Sequence, residues 1–206
     1  MYLKEARMTQ RLTRQEQQER TRQRLLDAAG AVFMRSGYLA ASVDRIAAEA
    51  GYTRGAVYKN FGGKEGLWLA IVEHQQCDHL AAVAEAFAAV DSRADLIAAL
   101  VEITAESTRE PASRWSVASL EFLAASIGRP EVAAPLYRRL DTQVGELLGA
   151  TMKRLGIPSA LPMPDLVAGL VSLGSGLSMR RLVDPGLDVA GIAEATIAGL
   201  LPEVTT

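Results

Sequence analysis

The sequence predicts an all-α fold of about nine helices: a small N-terminal helix-turn-helix unit followed by a larger helical body. Three observations carry this. Hydrophobic residues make up 49% of the 206 residues, yet aromatics only 5%, and alanine is abundant. That balance suits close-packed helices, because strands favour β-branched and aromatic side chains. Apolar residues also recur at spacings of three and four along most of the chain. Finally, Gly37, Gly51, Pro111, Pro158 and Pro185 punctuate these periodic stretches. No repeat and no strand is expected.

Each element has its own signature. A first helix over 20–36 carries Leu25, Leu26, Ala29, Val32 and Phe33 on one stripe and stops at Gly37. A second, over 42–50, aligns Val43, Ile46, Ala47 and Ala50 and stops at Gly51. Thr53 is placed to cap a third through its hydroxyl, with Ala56, Val57 and Phe61 turned inward. A long fourth helix over 64–90 places Leu67, Trp68, Ile71, His74, Leu80, Val83 and Phe87 on one broad face. Helices over 93–108 and 112–126 flank Pro111, and a seventh over 131–155 opens with an acidic turn and contains Pro135 near its start. A Pro-rich loop over 156–164 precedes the last two helices, 165–183 and 188–201. In them Leu166, Leu170, Leu173 and Leu177, then Ile192 and Ile197, interleave with Gly and Ser. Each Gly costs about 1 kcal/mol of helix propensity. Small residues at that cost make sense where another helix packs closely.

Residues 42–63 carry the functional signal. The third helix leaves Arg54, Gly55, Tyr58 and Lys59 facing out, with no acidic residue among 50–64. A short helix presenting small, basic and aromatic groups suits the major groove of DNA. Ser42 can offer a hydroxyl and backbone amides to a phosphate, and Lys64 sets a cation beside the same surface. Residues 1–65 hold twelve Lys and Arg against seven Asp and Glu, a formal +5, whereas 66–206 carry −7. A basic head on an acidic body is the footprint of a part that meets phosphate and a part that does not. Arg11, Arg14, Arg20 and Arg22 of the N-terminal stretch, whose first nineteen residues are expected to be flexible, add non-specific attraction.

Residues 22–74 resemble the DNA-binding domain of the TetR family of bacterial repressors. The matching landmarks are the Leu25-Leu26-Asp27-Ala28-Ala29 run with Phe33, Gly37-Tyr38, Ser42-Val43 with Ile46-Ala47, Ala50-Gly51, Gly55 with Val57-Tyr58 and Phe61, and Lys64-Glu65 with Leu67. Gly63 departs from the pattern, standing where the family more often has Ser or Pro. The resemblance implies a DNA-binding domain over 20–80 and an effector-binding and dimerisation domain over 81–206. It implies that Thr53, Arg54, Gly55, Ala56 and Lys59 face the groove while Ser42, Tyr58 and Lys64 hold phosphates. Arg54 is the candidate for bidentate bonding to guanine. It further implies a homodimer through the last two helices, over Leu166, Leu170, Leu173, Leu177, Ile192 and Ile197, reading a palindromic operator. An apolar or amphipathic effector would lie against Trp68, His79, Phe87, Trp115, Phe122, Tyr137, Met152 and Met179.

Other classes find less support. No catalytic residue is expected: there is no phosphate-binding glycine loop, nucleophile elbow or HExxH motif. No cofactor or metal is expected, since His74 and His79 at i and i+5 point about 140° apart on a helix of 3.6 residues per turn. No run of consecutive apolar residues approaches the ~18 of a membrane span, and the N-terminus lacks a signal-type apolar stretch, so a soluble cytoplasmic protein is expected. Cys77, the single cysteine, cannot form an internal disulfide and reads as a packing residue. The alternatives are an activator of another helix-turn-helix class or an all-helical interaction protein. A gel shift against DNA flanking the gene discriminates them.

Overall fold

A computed structural model of the chain describes residues 13–203, with the Cys77 side chain outside the described set. The fold is all-α, with nine helices among these residues. They are α1 Arg14–Ala40, α2 Val43–Ala50, α3 Arg54–Phe61, α4 Lys64–Ala88, α5 Arg93–Glu106, α6 Ala112–Ala125, α7 Pro130–Leu155, α8 Met163–Val183 and α9 Val189–Leu200. The largest departure from expectation is at the start of α1. Thr13 Oγ1 accepts from the Glu16 amide at 3.2 Å while Glu16 accepts from the Thr13 amide at 2.6 Å. This capping box satisfies two orphan donors and starts the helix inside the stretch expected to be flexible; only residues 1–12 of that stretch lie outside the description. Pro135 does not divide α7, and it sits exposed in the second turn.

Two cores form. The first joins Leu25, Val32 and Phe33 of α1, Ile46 of α2, Val57 of α3, and Leu67 and Trp68 of α4 to Ala118 and Phe122 of α6. It is built on aromatics: Trp68 stacks on Trp115 at 4.5 Å and meets Phe33 edge-on at 5.2 Å, and Tyr38 meets Phe122 at 5.2 Å. The second core is mainly aliphatic and gathers Val83, Phe87, Leu96, Leu148, Leu166 and Ile197. α4 runs through both cores, but α1 packs most extensively on α6.

The expected dimer face is corrected. Leu166, Leu177 and Ile197 are buried within the protomer, so they belong to its own second core. Leu170 lines a pocket and Leu173 packs partly against the core, which leaves Ile192 on the surface. The exposed apolar residues of α8 are instead Val171, Met179, Leu182 and Val183, and Val171 also borders the pocket. Both faces of α8 are apolar, and the larger leucines took the inner one. α8 is also, by length and composition, the one described helix apolar enough to cross a membrane. Its glycines and serines interrupt any continuous apolar run, which hid this from a run-length reading. Leu166, Val167, Leu177 and Ser178 of this helix are buried in the body.

Candidate nucleic-acid interface and ligand cavity

The α2–α3 pair is built by its caps. Ser42 Oγ accepts from the Arg45 amide at 3.2 Å, which opens α2. Gly51, at φ 74°, turns its N–H back to the carbonyls of Ala47 and Ala48, and Tyr52 N donates to Ala47 O at 2.8 Å. That left-handed turn is one glycine adopts freely. Thr53 is the N-cap of α3 as expected, but its hydroxyl makes no capping bond and stays at the surface. Val57 is fully buried, Ala56 is half-buried against the core, and Arg54, Gly55, Tyr58 and Lys59 are exposed together.

Arg54 is held across the pair. Its Nη1 lies 3.4 Å from Asp44 Oδ2 and its Nη2 donates to the Tyr58 hydroxyl at 3.3 Å, with the guanidinium 5.4 Å from the Tyr58 ring centroid. The Tyr58 bond, then Asp44, raises its pKa above the ordinary guanidinium value. The side chain is thus a charged donor fork at an exposed position, with Tyr58 and Asp44 beside it.

Two cations are engaged elsewhere. Lys64, expected on a phosphate, donates to the carbonyls of Tyr38, Leu39 and Ala41 at 3.0, 3.3 and 3.0 Å and lies over the Tyr38 ring. Its three ammonium hydrogens are committed inside the protein, and burial lowers its pKa. Arg22 stacks on Phe61 at 4.5 Å and donates to Asn60 O at 3.3 Å, fastening α1 to the end of α3. Tyr52 was not singled out from sequence. Its phenol pKa is lowered by a hydrogen bond with Thr21 and by Arg24 and Arg20, so two exposed arginines of α1 stand beside the turn.

The α3–α4 turn explains Gly63. Its φ of 132° is closed to other residues, and a Cβ there would lie 3.3 Å from the Tyr58 ring. At Gly66 a Cβ would come within 1.8 Å of Phe61 O, so only glycine lets α4 approach α3.

α6 grips this head directly. Glu121 accepts from the Leu39 amide at 2.8 Å, beside Gly37, which adopts φ 75°. Salt bridges Glu65–Arg129 and Glu73–Arg139, both 2.8 Å, tie α4 to the start of α7.

The body holds a half-open pocket of about 220 Å³ between α4, α5, α7 and α8, with α6 at one end. His79 and Phe87, both expected, line it, together with Val83, Leu100, Ile103 and Leu170. His79 stands open to solvent at the mouth, yet surrounding protein atoms lower its pKa below the ordinary imidazole value. Trp115 borders the outer opening between α4, α5 and α6. The other expected lining residues are corrected. Trp68 and Phe122 fill the first core, and Tyr137 packs against it; Met152 belongs to the second core, and Met179 is 48% exposed on α8. Most of the large aromatic side chains were drawn into the cores, and the pocket is lined mainly by aliphatic residues with Ser, Thr and Gly, beside Phe87 and His79.

These features, a capped helix pair with an exposed basic α3 and a helical body holding a pocket, define a helix-turn-helix protein with a separate ligand-sized pocket. The family description "Bacterial regulatory proteins, tetR family" matches residues 25–71. The HTH-type transcriptional regulator SrpR of Pseudomonas putida is 48% identical over 58 residues, 28% of this chain and 27% of that protein. The matches span less than half the length of the first curated relatives. The structure of Salmonella enterica GusR superposes with a TM-score of 0.70 at 22% identity, over 93% of this chain and 99% of that one. The multidrug binding protein EbrR complexed with imidazole superposes with a TM-score of 0.68 at 25% identity, over 91% and 95%. Residues 25–71 thus match the N-terminal domain of the TetR family.

Proposed function

We propose that the protein is a ligand-responsive transcriptional repressor that binds a palindromic operator as a homodimer. The observation that carries this is the exposed α3 face, where Thr53, Arg54, Gly55, Tyr58 and Lys59 stand free of acidic neighbours on their own helix. In this reading Arg54 reads a guanine edge. Lys59 and the Ser42 and Tyr58 hydroxyls grip phosphates, and Arg20 and Arg24 add backbone contacts. One α3 covers only a few base pairs. Two, about 34–36 Å apart across a two-fold axis, cover a palindrome. The exposed stripe of α8 with Ile192 of α9 supplies an apolar surface for that dimer. Residues 20–80 form the reading domain and 81–206 the body that senses and dimerises. Such a protein works in the cytoplasm, where its DNA is.

An effector in the cavity would act through α6. Ser116 lines the chamber, its neighbour Trp115 stacks on Trp68 of the first core, and Glu121 one helical face away holds the Leu39 amide. A ligand that prefers one placement of α6 shifts the spacing of the two heads by no more than its differential affinity for the two placements.

Anisotropy titration of the full chain against duplexes flanking its own gene tests the reading. Salt-sensitive binding to one site, lost with a scrambled half-site, is expected. Equal affinity for all duplexes would overturn the operator assignment. Sedimentation of Met179→Glu as a monomer, beside a dimeric parent, is expected from the α8 interface.

A further inference from the structure

The cavity is chemically graded. One end is apolar: Phe87, Leu100, Leu148 and Val167 are all buried. The other end, shared with the opening to solvent, gathers His79 of α4, Ser107 at the C-cap of α5 and Ser116 of α6, together with Val83 and Ile103. The Ser107 and Ser116 hydroxyl hydrogens are committed to helix carbonyls, whereas Ser175 of α8 lines the pocket without such a bond. Ser107 Oγ donates to Thr104 O at 2.6 Å and Ser116 Oγ to Ala112 O at 3.1 Å. What these two serines leave for a ligand are oxygen lone pairs, and a neutral imidazole adds one acceptor nitrogen. The polar end therefore accepts hydrogen bonds more readily than it donates them.

Charge is absent from the chamber lining, which holds no Asp, Glu, Lys or Arg. At the outer opening Glu102 and Glu106 are present, but Arg109 binds both, at 2.7 Å for Glu102. Within the lining an organic cation would find no carboxylate and an organic anion no cation, while the Glu102–Arg109–Glu106 cluster at the opening keeps one net negative charge. A desolvated ion without a partner is strongly disfavoured. Size bounds the ligand as well: an apolar cavity of about 150 Å³ holds benzene, and this one measures about 220 Å³.

We propose that this cavity takes a neutral, mainly apolar molecule of one-ring size carrying a hydroxyl or N–H donor. The donor points to His79, Ser107 and Ser116, and the ring lies against Phe87 and Leu148. The assignment rests on the effector reading above and fixes the ligand's chemistry. The protein atoms around His79 lower its pKa, which favours the neutral ring as an acceptor. The donor end of the ligand then sits beside α6, the element that carries Glu121 to the head.

Isothermal titration of the full chain with four size-matched probes tests this: 4-propylphenol, propylbenzene, 4-propylbenzoate and 4-propylphenyl-trimethylammonium. The phenol is expected to bind about tenfold more tightly than propylbenzene, in line with one hydrogen bond, and the two ions at least a further tenfold more weakly. His79→Phe removes the preference for the phenol while affinity for propylbenzene stays within about twofold, and His79→Gln, which restores an acceptor, recovers part of it. Equal binding of phenol and propylbenzene, or tight binding of the ammonium, would overturn the proposal. If no probe binds while operator binding persists, the ligand class is wrong and the DNA reading stands. If the phenol binds but no duplex does, the regulator reading fails and the cavity assignment stands.

Discussion

The first core and the second core are made from different side chains, and they do different work. Phe33, Tyr38, Trp68, Trp115 and Phe122 interlock in the first, with ring centroids 4.5–5.7 Å apart. The second is mostly aliphatic and holds a half-open pocket of about 220 Å³. Flat rings in edge and stacked contact permit few alternative packings, so the surface they carry is fixed in shape. A core with a void can move into it. A rigid reader joined to a deformable body is the arrangement a ligand-controlled binder needs.

Truncation on either side of this contrast gives the largest expected effect. Trp68→Ala removes the ring at the centre of the aromatic set and is expected to cost about 3–5 kcal/mol, with loss of DNA binding. Leu100→Ala, beside an existing void, is expected at about 2 kcal/mol, the low end for such truncations, with DNA binding kept. Urea melts of both variants check this. If the two lose equal stability, the cores do not differ in rigidity.

Within the head, the contrast lies between Arg54 and Lys59. Arg54→Ala is expected to weaken operator binding by about 1–3 kcal/mol while leaving random duplexes little changed. Lys59→Ala weakens both alike and lowers the salt slope by about one. Anisotropy titrations at several salt concentrations separate them. Equal loss on both duplexes for Arg54→Ala would assign it to the backbone instead.

The head was legible in the sequence because local rules decide it. Ser42 and Gly51 cap as their types dictate, and Val57 and Ile46 fall inward by periodicity. Sequence could not see what distant elements do to a residue. Lys64 looked like a phosphate ligand, but the end of α1, 23 to 26 residues away in the chain, brings three carbonyls to it. The same limit explains the cavity. Aromatics look like ligand boxes in sequence, whereas here Trp68 and Phe122 are consumed by head packing that depends on α6 lying against α1. α8 misled for a related reason: it has two apolar faces, and periodicity alone does not say which one turns inward. Gly66 carried a readable signal, a glycine in the first turn of a helix against propensity, and it marks the close approach of Phe61.

Lys64→Met tests whether that lysine belongs to the fold or to the interface. It leaves the buried Tyr38 carbonyl and its neighbours without their charged donor, so a loss of about 1–2 kcal/mol in stability is expected. DNA affinity measured well below the melting point should change little. A parent-like melt combined with weakened binding to every duplex would return Lys64 to the phosphate role.

The smallest effect probes the cavity end of the comparison through pH. Burial lowers the His79 pKa, so the folded protein binds fewer protons at this site than the unfolded chain does. Its contribution to stability is present above the unfolded value near 6.5 and is lost as pH falls below it. The groups facing His79 from α5, Glu102 and Glu106, are held by Arg109, and that bond lowers the Glu102 pKa, so Glu102 stays charged through this window. A melting temperature that declines from pH 7 toward pH 5.5 is expected, with a flatter profile for His79→Gln. Because the head core contains no histidine, DNA affinity at temperatures below the melt should not follow the same slope. Parallel declines in both would mean that protonation in the body reaches the α2–α3 pair.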